Sequence, residues 1–208
     1  MSNSIPQALA EFNEEVVLGL VKQHLDAGDS PTDLVTELQT GMSLVGERFS
    51  DGRYFLSELI MSADLFTQAM KMIEPYLGGQ AIKNHGSIVI GTPKGDIHDL
   101  GKNIFCAVAR GSGFEVHDLG VDVPAQRFVE AVEQLKPQIL GFSALITTTF
   151  DEMKKVVDEL NEKKLRAQLK IMVGGGVTTH TVKRYIGADF QTIDAIQGLE
   201  QCKTFLNV

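Results

Sequence analysis

A loop rich in glycine, aspartate and histidine, residues 91–103, holds the side chains best suited to chemistry. It follows an apolar β-type segment and precedes an apolar helical one, so it is predicted to join a strand to a helix. Its single histidine, His98, lies two residues after Asp96. That spacing suits one axial metal ligand, because a nearby carboxylate can accept the second ring N–H, fix the tautomer and raise the basicity of the imidazole.

Other ligands of strand-to-helix loops fit this one less well. A phosphate-binding P-loop needs four residues between its glycines and Ser or Thr after the lysine, whereas five residues separate Gly95 from Gly101, and Asn103 follows Lys102. There is no GxGxxG motif, and His98 has no cysteine or second histidine at metal-ligand spacing. A surface histidine that bonds to a neighbouring aspartate is the alternative interpretation.

The first part of the chain is predicted to be a helical cap. Residues 1–79 show apolar spacing typical of helices and no strand pattern, which predicts a four-helix bundle. Asn13 and Ser30 are the expected N-caps of two of these helices. Residues 80–86, after a Gly-Gly pair, are the predicted linker.

The rest of the chain, 87–208, is predicted to form an α/β domain. Apolar β-type segments alternate with helical ones five times, which indicates a flavodoxin- or Rossmann-like doubly wound, five-stranded parallel sheet in the order 2-1-3-4-5. The last helix is expected to begin at Gly198. In this order the loops after strands one, three and four open at one edge of the sheet, so they are expected to line an elongated site.

The loops after strands three and four carry hydroxyls and glycines. Ser143 and Thr147 are candidate ligand contacts, although each could instead cap the following helix. The run Gly174-Gly175-Gly176 allows a backbone to approach a bulky ligand closely, although it could instead only form a turn. A large ligand between these loops is therefore predicted.

Composition favours a soluble protein of the cytoplasm. The net charge of -8 and the pI near 5.1 argue against a nucleic-acid partner. No apolar run is long enough for a membrane span, and no export signal is recognised. Neither nucleic acid nor membrane is an expected partner.

Taken in order, these motifs resemble those of a known family. Asp96-x-His98-x-x-Gly101, Ser143-x-Leu145 and the glycines at 174–176 resemble the DxHxxG, SxL and GG signature of cobalamin-binding domains. Residues 95–103, 118–121 and 145–147 are similar to the corrinoid module of cobalamin-dependent methionine synthase, and the helical first third resembles its cap. Free-standing two-part chains of this size are similar to the corrinoid proteins of anaerobic methyltransferase systems.

The resemblance implies a cofactor and a set of residues around it. The cofactor is cobalamin or a related corrinoid, held base-off with His98 as the metal ligand on cobalt. Asp96 is implied to accept the second N–H of His98, and Thr149, which stands where the methionine synthase module has a serine, to extend this relay. The other implied cofactor-binding residues are Gly95, Ile97, Asp99, Gly101, Ser143, Leu145, Thr147, Gly174, Gly175, Gly176, Asp194 and Ala195. From the cap, Phe49, Phe55, Leu56 and Leu59 are implied to cover the methyl-bearing face, with packing in the helical core as the alternative.

The function implied by the resemblance is methyl carriage without catalysis by this chain alone. The methyl group would pass, as methyl-Co(III) and Co(I), from a substrate-specific methyltransferase to a second methyltransferase acting on tetrahydrofolate or coenzyme M. A reductive activase is a further implied partner, and a homodimer is an expected assembly. A methoxyaromatic (as in an O-demethylase system), a methylamine, methanol and betaine remain open as methyl donors. A cobalamin-based sensor and the cobalamin subunit of a carbon-skeleton mutase are the alternatives.

Overall fold

The structure is a computed structural model that describes residues 4–77 and 85–208. Contacts between Cα atoms divide the chain into two compact units, Met1–Asn84 with Ala107–Gly113, and His85–Cys106 with Phe114–Val208. The predicted domain limit at 79 and most of the predicted linker, 80–86, lie outside the described residues. These limits stay a prediction.

Residues 4–77 fold into four α-helices, as their periodicity predicts. The helices are α1 (Ile5–Ala10), α2 (Glu14–Ala27), α3 (Pro31–Ser50) and α4 (Leu56–Ile73), and a 3-10 turn, Glu74–Tyr76, follows α4. Asn13 and Ser30 cap α2 and α3 as predicted, because their side chains accept the backbone N–H groups of Val16 and Asp33.

The corner between α3 and α4 is attached to the end of α1. Tyr54 Oη donates a hydrogen bond of 2.6 Å to the backbone carbonyl of Ala10, and Arg48 donates one of 2.9 Å to the same oxygen. Arg48 also lies over the Tyr54 ring, 5.3 Å from its centroid. These contacts fix the corner that precedes Phe55, the N-cap residue of α4.

The second unit contains a five-stranded parallel sheet in the order β2-β1-β3-β4-β5, which confirms the predicted topology. Its strands are β1 (Ser87–Gly91), β2 (Glu115–Asp118), β3 (Ile139–Ser143), β4 (Lys170–Gly174) and β5 (Phe190–Thr192). Between and after them lie α5 (Leu100–Gly111), α6 (Ala125–Leu135), α7 (Phe150–Glu162), α8 (His180–Ile186) and α9 (Ala195–Leu206), with 3-10 turns at Thr147–Thr149 and Arg166–Gln168.

The central strands are buried, as expected for a parallel sheet with both faces covered. Ile88, Val89, Ile139 and Leu140 are fully buried. On one face α6 and α7 pack on the sheet, and the rings of Phe128 and Phe142 meet edge to face at 5.1 Å. This packed core holds the ends of the strands in place.

The register aligns the carboxyl ends of the central strands. Gly91 pairs with Phe142, and Ser143 pairs with Gly174, so the loops after β1, β3 and β4 begin side by side at one edge. In the parts of the chain that the structure describes, no helix combines the length and the apolar character needed to cross a bilayer.

Candidate functional site

The loop that carries His98 leaves β1 through a tight turn. The backbone N–H of Asp96 donates to the carbonyl of Pro93 at 3.1 Å, and Gly95 takes the left-handed value φ +92° within this turn. Glycine adopts that conformation without the steric cost that a Cβ imposes. Asp96 ends this turn, and its side chain is fully buried.

Asp96 and His98 form a close pair. The distance between His98 Nδ1 and Asp96 Oδ1 is 2.7 Å, and the backbone N–H of His98 donates to the same oxygen at 2.9 Å. An ionised carboxylate can only accept, so Nδ1 carries the proton and the lone pair of the neutral ring is on Nε2. The His98 side chain is 51% exposed, and Nε2 has no hydrogen-bond partner among residues 4–77 and 85–208. Nε2 is therefore the atom that can bind a metal.

The second carboxylate oxygen of Asp96 binds the loop after β3. Oδ2 accepts the backbone N–H of Leu145 at 2.6 Å and that of Ile146 at 3.2 Å. Burial by itself raises the pKa of this carboxyl, but the N–H groups of Leu145 and His98 and the imidazole outweigh it and hold the pKa of Asp96 below its ordinary value. Asp96 is thus an ionised acceptor at neutral pH. The role of Ile146 has no signal in the sequence, because a backbone N–H is common to almost every residue.

Thr149 is buried and bonds to Ile146, one of the residues that donate to this carboxylate. Its hydroxyl donates to the carbonyl of Ile146 at 2.7 Å, and the N–H of Ile146 donates to Asp96. Thr149 is thus linked to Asp96 through Ile146. Its part in a relay stays a prediction.

The hydroxyls of Ser143 and Thr147 do not cap α7. The residue at the N-cap position is Thr149, and no side-chain capping bond is made there. Within the described residues neither Ser143 nor Thr147 uses its hydroxyl in a hydrogen bond, so the capping alternative is wrong. Both groups are available to a ligand.

The three glycines at the end of β4 and just after it lie close to neighbouring segments of the chain. Gly175 has φ +110°, and a Cβ at this position would overlap the backbone of Ala144. A Cβ on Gly174 would lie 3.3 Å from the carbonyl oxygen of Thr192, and one on Gly176 would lie 3.1 Å from Leu145. Gly175 therefore does more than form a turn. It allows the loops after β3 and β4 to pack closely.

Two models of known protein families match this chain. Residues 86–200, more than half of the chain, match the family model described as a B12 binding domain. Residues 2–74 match a second model with the same description. The chain belongs to the B12-binding proteins.

Individual relatives of this B12-binding protein span almost its whole length. It is 37% identical to the trimethylamine corrinoid protein of Methanosarcina barkeri over 205 residues, which cover 97% of this chain and 94% of the relative. A cobalamin-binding protein from Desulfitobacterium hafniense DCB-2 has a similar structure, with a TM-score of 0.75, 36% identity and coverage of 97% and 96%. The methanol:cobalamin methyltransferase complex MtaBC from Methanosarcina barkeri gives a TM-score of 0.89 at 31% identity, covering 98% of this chain and 78% of that one.

The surroundings of His98 in this B12-binding protein fit a large, partly apolar ligand. Ile97, Leu145 and Ile193 are exposed by 73%, 44% and 73%, and all three lie in loops at the same edge of the sheet. Exposed apolar groups beside a few placed polar atoms are typical of ligand sites. With Nε2 as donor, this set of residues suits a corrinoid that takes one protein ligand.

Three other predicted residues lie at helix starts. Asp194 is the N-cap of α9, and its Oδ1 accepts the N–H groups of Ile196 and Gln197 at 2.8 and 2.9 Å. The helix therefore begins at Ala195, and the predicted start at Gly198 is wrong because this cap was not recognised. Asp99 immediately precedes α5, and its Oδ2 accepts from Asn103 at 3.0 Å.

The four predicted residues of the cap differ in exposure. Phe55 and Leu56 are exposed by 72% and 41%, Phe49 is half-buried, and Leu59 is only 2% exposed. The side chain of Glu58 accepts the backbone N–H of Phe55 at 2.8 Å, which holds the first turn of α4. Phe55 and Leu56 thus have surface to offer a ligand, whereas Leu59 has almost none.

Proposed function

We propose that this chain is a corrinoid methyl carrier, which accepts a methyl group from a substrate-specific methyltransferase and delivers it to a second one. The proposal depends on one observation, the His98 imidazole that Asp96 holds through Nδ1 so that Nε2 is left for a metal. The relatives known as corrinoid proteins and the MtaBC methyltransferase complex support the same class of function.

A bound corrinoid would supply the cobalt that carries the methyl group. His98 would bind the cobalt through Nε2, and the Asp96 carboxylate would keep the proton on Nδ1 and fix the orientation of the ring. The paired carboxylate would keep the ring oriented whether or not Nε2 is bound to a metal. Asp96, which is ionised and buried, would also stabilise positive charge at the site.

The loops after β3, β4 and β5 would hold the rest of the cofactor. Ser143 and Thr147 offer unused hydroxyls, and Gly174 and Gly176 would border the cofactor without side chains of their own, at positions where a Cβ would already crowd Thr192 and Leu145. Asp194 would contribute indirectly, by fixing the start of α9. Phe55 and Leu56 would shelter the methyl-bearing face, since an apolar cover excludes water.

The first partner to test is a methyltransferase that acts on a methylamine. Several relatives are named trimethylamine or dimethylamine corrinoid proteins, each 34–38% identical to this chain. A second methyltransferase acting on coenzyme M or tetrahydrofolate, and a reductive activase, complete the proposed system. Methanol, methoxyaromatics and betaine are donors to include in the same assays.

The test is anaerobic reconstitution of the chain with hydroxocobalamin, followed by absorption spectra of the wild type and of His98→Ala. His24→Ala is the matched control, because His24 also pairs through Nδ1 with an aspartate, Asp29, at 2.7 Å. We expect a protein-bound corrinoid whose spectrum changes in His98→Ala and not in His24→Ala. Absence of bound corrinoid, or identical spectra for all three proteins, contradicts the axial role of His98.

Methyl transfer is then measured with purified methyltransferases and the reduced holoprotein. We expect uptake of one methyl group from the matching donor and its release to the second methyltransferase. A stable adenosyl form that takes up no methyl group from any donor argues against methyl carriage and favours the mutase alternative.

A further inference from the structure

The segment after β2, residues 118–123, runs alongside the histidine loop. Backbone hydrogen bonds join Thr92 N–H to Gly120 O at 3.0 Å, Val123 N–H to Thr92 O at 3.0 Å and Lys94 N–H to Val123 O at 2.8 Å. Pro93 and Val123 form an isolated parallel bridge. The two loops therefore continue the pairing of β1 with β2 beyond the ends of the strands.

Asp122 holds the histidine loop on both sides of the Gly95–Asp96 pair, through the N–H of Gly95 and the carbonyl of Asp96. Its Oδ1 accepts the N–H of Gly95 at 2.7 Å, and its own N–H donates to the carbonyl of Asp96 at 2.9 Å. Both bonds are made by the backbone of Gly95 and Asp96, next to the point where the Asp96 side chain contacts His98. Asp122 is thus linked to His98, the predicted metal ligand, through a single residue, Asp96.

The backbone of Asp122 is in the left-handed region, with φ +52°. Most residues with a side chain avoid this region, but aspartate tolerates it better than most because its short side chain can bond to nearby backbone groups. The conformation directs both the N–H and the carboxylate of Asp122 toward the histidine loop. An aspartate at this position combines the tolerated φ with the acceptor that Gly95 uses.

The other end of the segment is anchored by an ion pair between a buried lysine and the partly exposed Asp118. Lys102 in the first turn of α5 is 3% exposed, and its ammonium donates to Asp118 and, at 2.8 Å, to Asn103 Oδ1. Asp118 Oδ1 in turn accepts the N–H of Gly120 at 2.9 Å. Losing the partner of a buried ammonium is strongly destabilising, so these contacts are expected to persist. The segment from Asp118 to Asp122 is therefore fixed at both ends.

We propose that Asp122 is a positioning residue for His98, acting through Gly95 and Asp96 on the direction in which the imidazole points. The Asp96 side chain must meet His98 on one oxygen and the amides of Leu145 and Ile146 on the other. Ligand sites of this kind tolerate displacements of only about 0.5 Å, so the main chain at Asp96 has to be held. The inference rests on the proposed function in taking His98 as the metal ligand.

The test compares three substitutions of Asp122. Asp122→Gly keeps the left-handed backbone and removes the acceptor for Gly95. Asp122→Asn keeps an Oδ1 acceptor without the charge, and Asp122→Glu keeps the charge but displaces the carboxylate. Asn207→Gly, at a left-handed residue with φ +57° after α9, is the matched control for the glycine variant.

The first readout uses the protein without cofactor. Amide hydrogen exchange at Gly95 and the 15N shifts of the His98 ring are measured by NMR. We expect exchange at Gly95 to be about 10-fold faster and the His98 ring signals to move in Asp122→Gly and Asp122→Glu, since a lost hydrogen bond permits local opening. Asp122→Asn and Asn207→Gly should match the wild type.

The second readout is cobalt coordination in the reconstituted protein. In the EPR spectrum of the Co(II) form, the nitrogen splitting from an axial imidazole should weaken in Asp122→Gly, with a Kd for the corrinoid about 10-fold higher. Asp122→Asn should restore both. If one variant fails to fold, the remaining two still separate the acceptor role from charge.

Two results overturn the inference. One is an Asp122→Gly protein that matches Asn207→Gly in both readouts. The other is the opposite pattern, in which Asp122→Glu matches the wild type and Asp122→Asn does not, because charge and not the hydrogen bond would then matter. A wild-type holoprotein without imidazole splitting contradicts the proposed function instead, and the cofactor-free readout still decides the role of Asp122.

Discussion

The backbone N–H of Leu145 donates a 2.6 Å hydrogen bond to Asp96 Oδ2, across 49 positions of sequence. The same carboxylate accepts from His98 through its other oxygen. One buried side chain therefore fixes the candidate ligand and joins the loops after β1 and β3. Changes to Asp96 should consequently affect stability and the orientation of His98 together.

Replacing Asp96 by Asn is expected to destabilise the protein by about 2 kcal/mol, because an amide nitrogen cannot accept the hydrogen bonds that one carboxylate oxygen now receives. Urea unfolding of the cofactor-free protein measures this. Asp29→Asn, in the exposed His24–Asp29 pair, is the control and should change the free energy of unfolding by less than about 0.5 kcal/mol. Equal effects of the two substitutions would contradict the structural role of Asp96.

The contribution of Asp96 is expected to depend on pH. Its pKa is lower in the folded protein than the value of about 3.9 of an unperturbed aspartate, so its ionisation stabilises the fold above that pH. The stabilisation should be lost as the pH falls below about 3.9 toward the folded pKa. The difference in unfolding free energy between wild type and Asp96→Asn should therefore shrink from pH 6 to pH 3. A constant difference over this range would exclude ionised Asp96 as its source.

Gly175→Ala is expected to cost about 3 kcal/mol or more, since the added Cβ overlaps the Ala144 backbone and φ is +110°. Gly28→Ala is the matched control, because Gly28 also has a positive φ, +81°, but a Cβ there meets nothing within 4 Å. Its cost should be only the conformational one, about 1 kcal/mol. Thermal and urea unfolding check both values, and similar losses would mean that Gly175 is needed for conformation alone.

Lys102→Met should destabilise the second unit by about 2 kcal/mol, because the partly exposed Asp118 carboxylate loses the charge-assisted hydrogen bond from its buried partner. Lys154→Met removes an exposed i,i+4 partner of Asp158 and should change stability by less than about 0.5 kcal/mol. Both are measured by urea unfolding of the full chain. A small effect of Lys102→Met would show that the pair contributes little to the anchor of the β2 loop.

The cap residues that are implied to cover the cofactor should differ in how much they contribute to stability. Leu59→Ala is expected to destabilise the protein by about 2–4 kcal/mol, since Leu59 is buried, whereas Phe55→Ala should change stability little because Phe55 is 72% exposed. If Phe55 covers the cofactor, Phe55→Ala should instead speed air oxidation of the reduced holoprotein. Unfolding curves and the rate of spectral change test the two effects separately.

The topology could be predicted from the sequence because the helices show apolar residues at helical spacing and the buried strands show short apolar runs. The order of the strands and the loops that meet at the edge follow from the rules for parallel sheets. The pairing of His98 with Asp96 was also predictable, since both residues lie in one short loop and carry distinctive side chains.

The rest of the site was hidden from sequence reasoning because it depends on backbone geometry. Ile146 acts through its N–H, and Asp122 acts through a left-handed turn in a different loop. The family resemblance implies that Asp194 binds the cofactor, and the structure adds that its Oδ1 accepts the first N–H groups of α9. Only the folded chain reveals which polar side chains are already engaged.

Tyr54 and Arg48 share one acceptor, the carbonyl of Ala10, and this has a mechanical consequence. A flap made of the α3–α4 corner alone would have to break both hydrogen bonds before it could swing. Phe55, directly after Tyr54, is thus expected to move together with α1 and not independently of it.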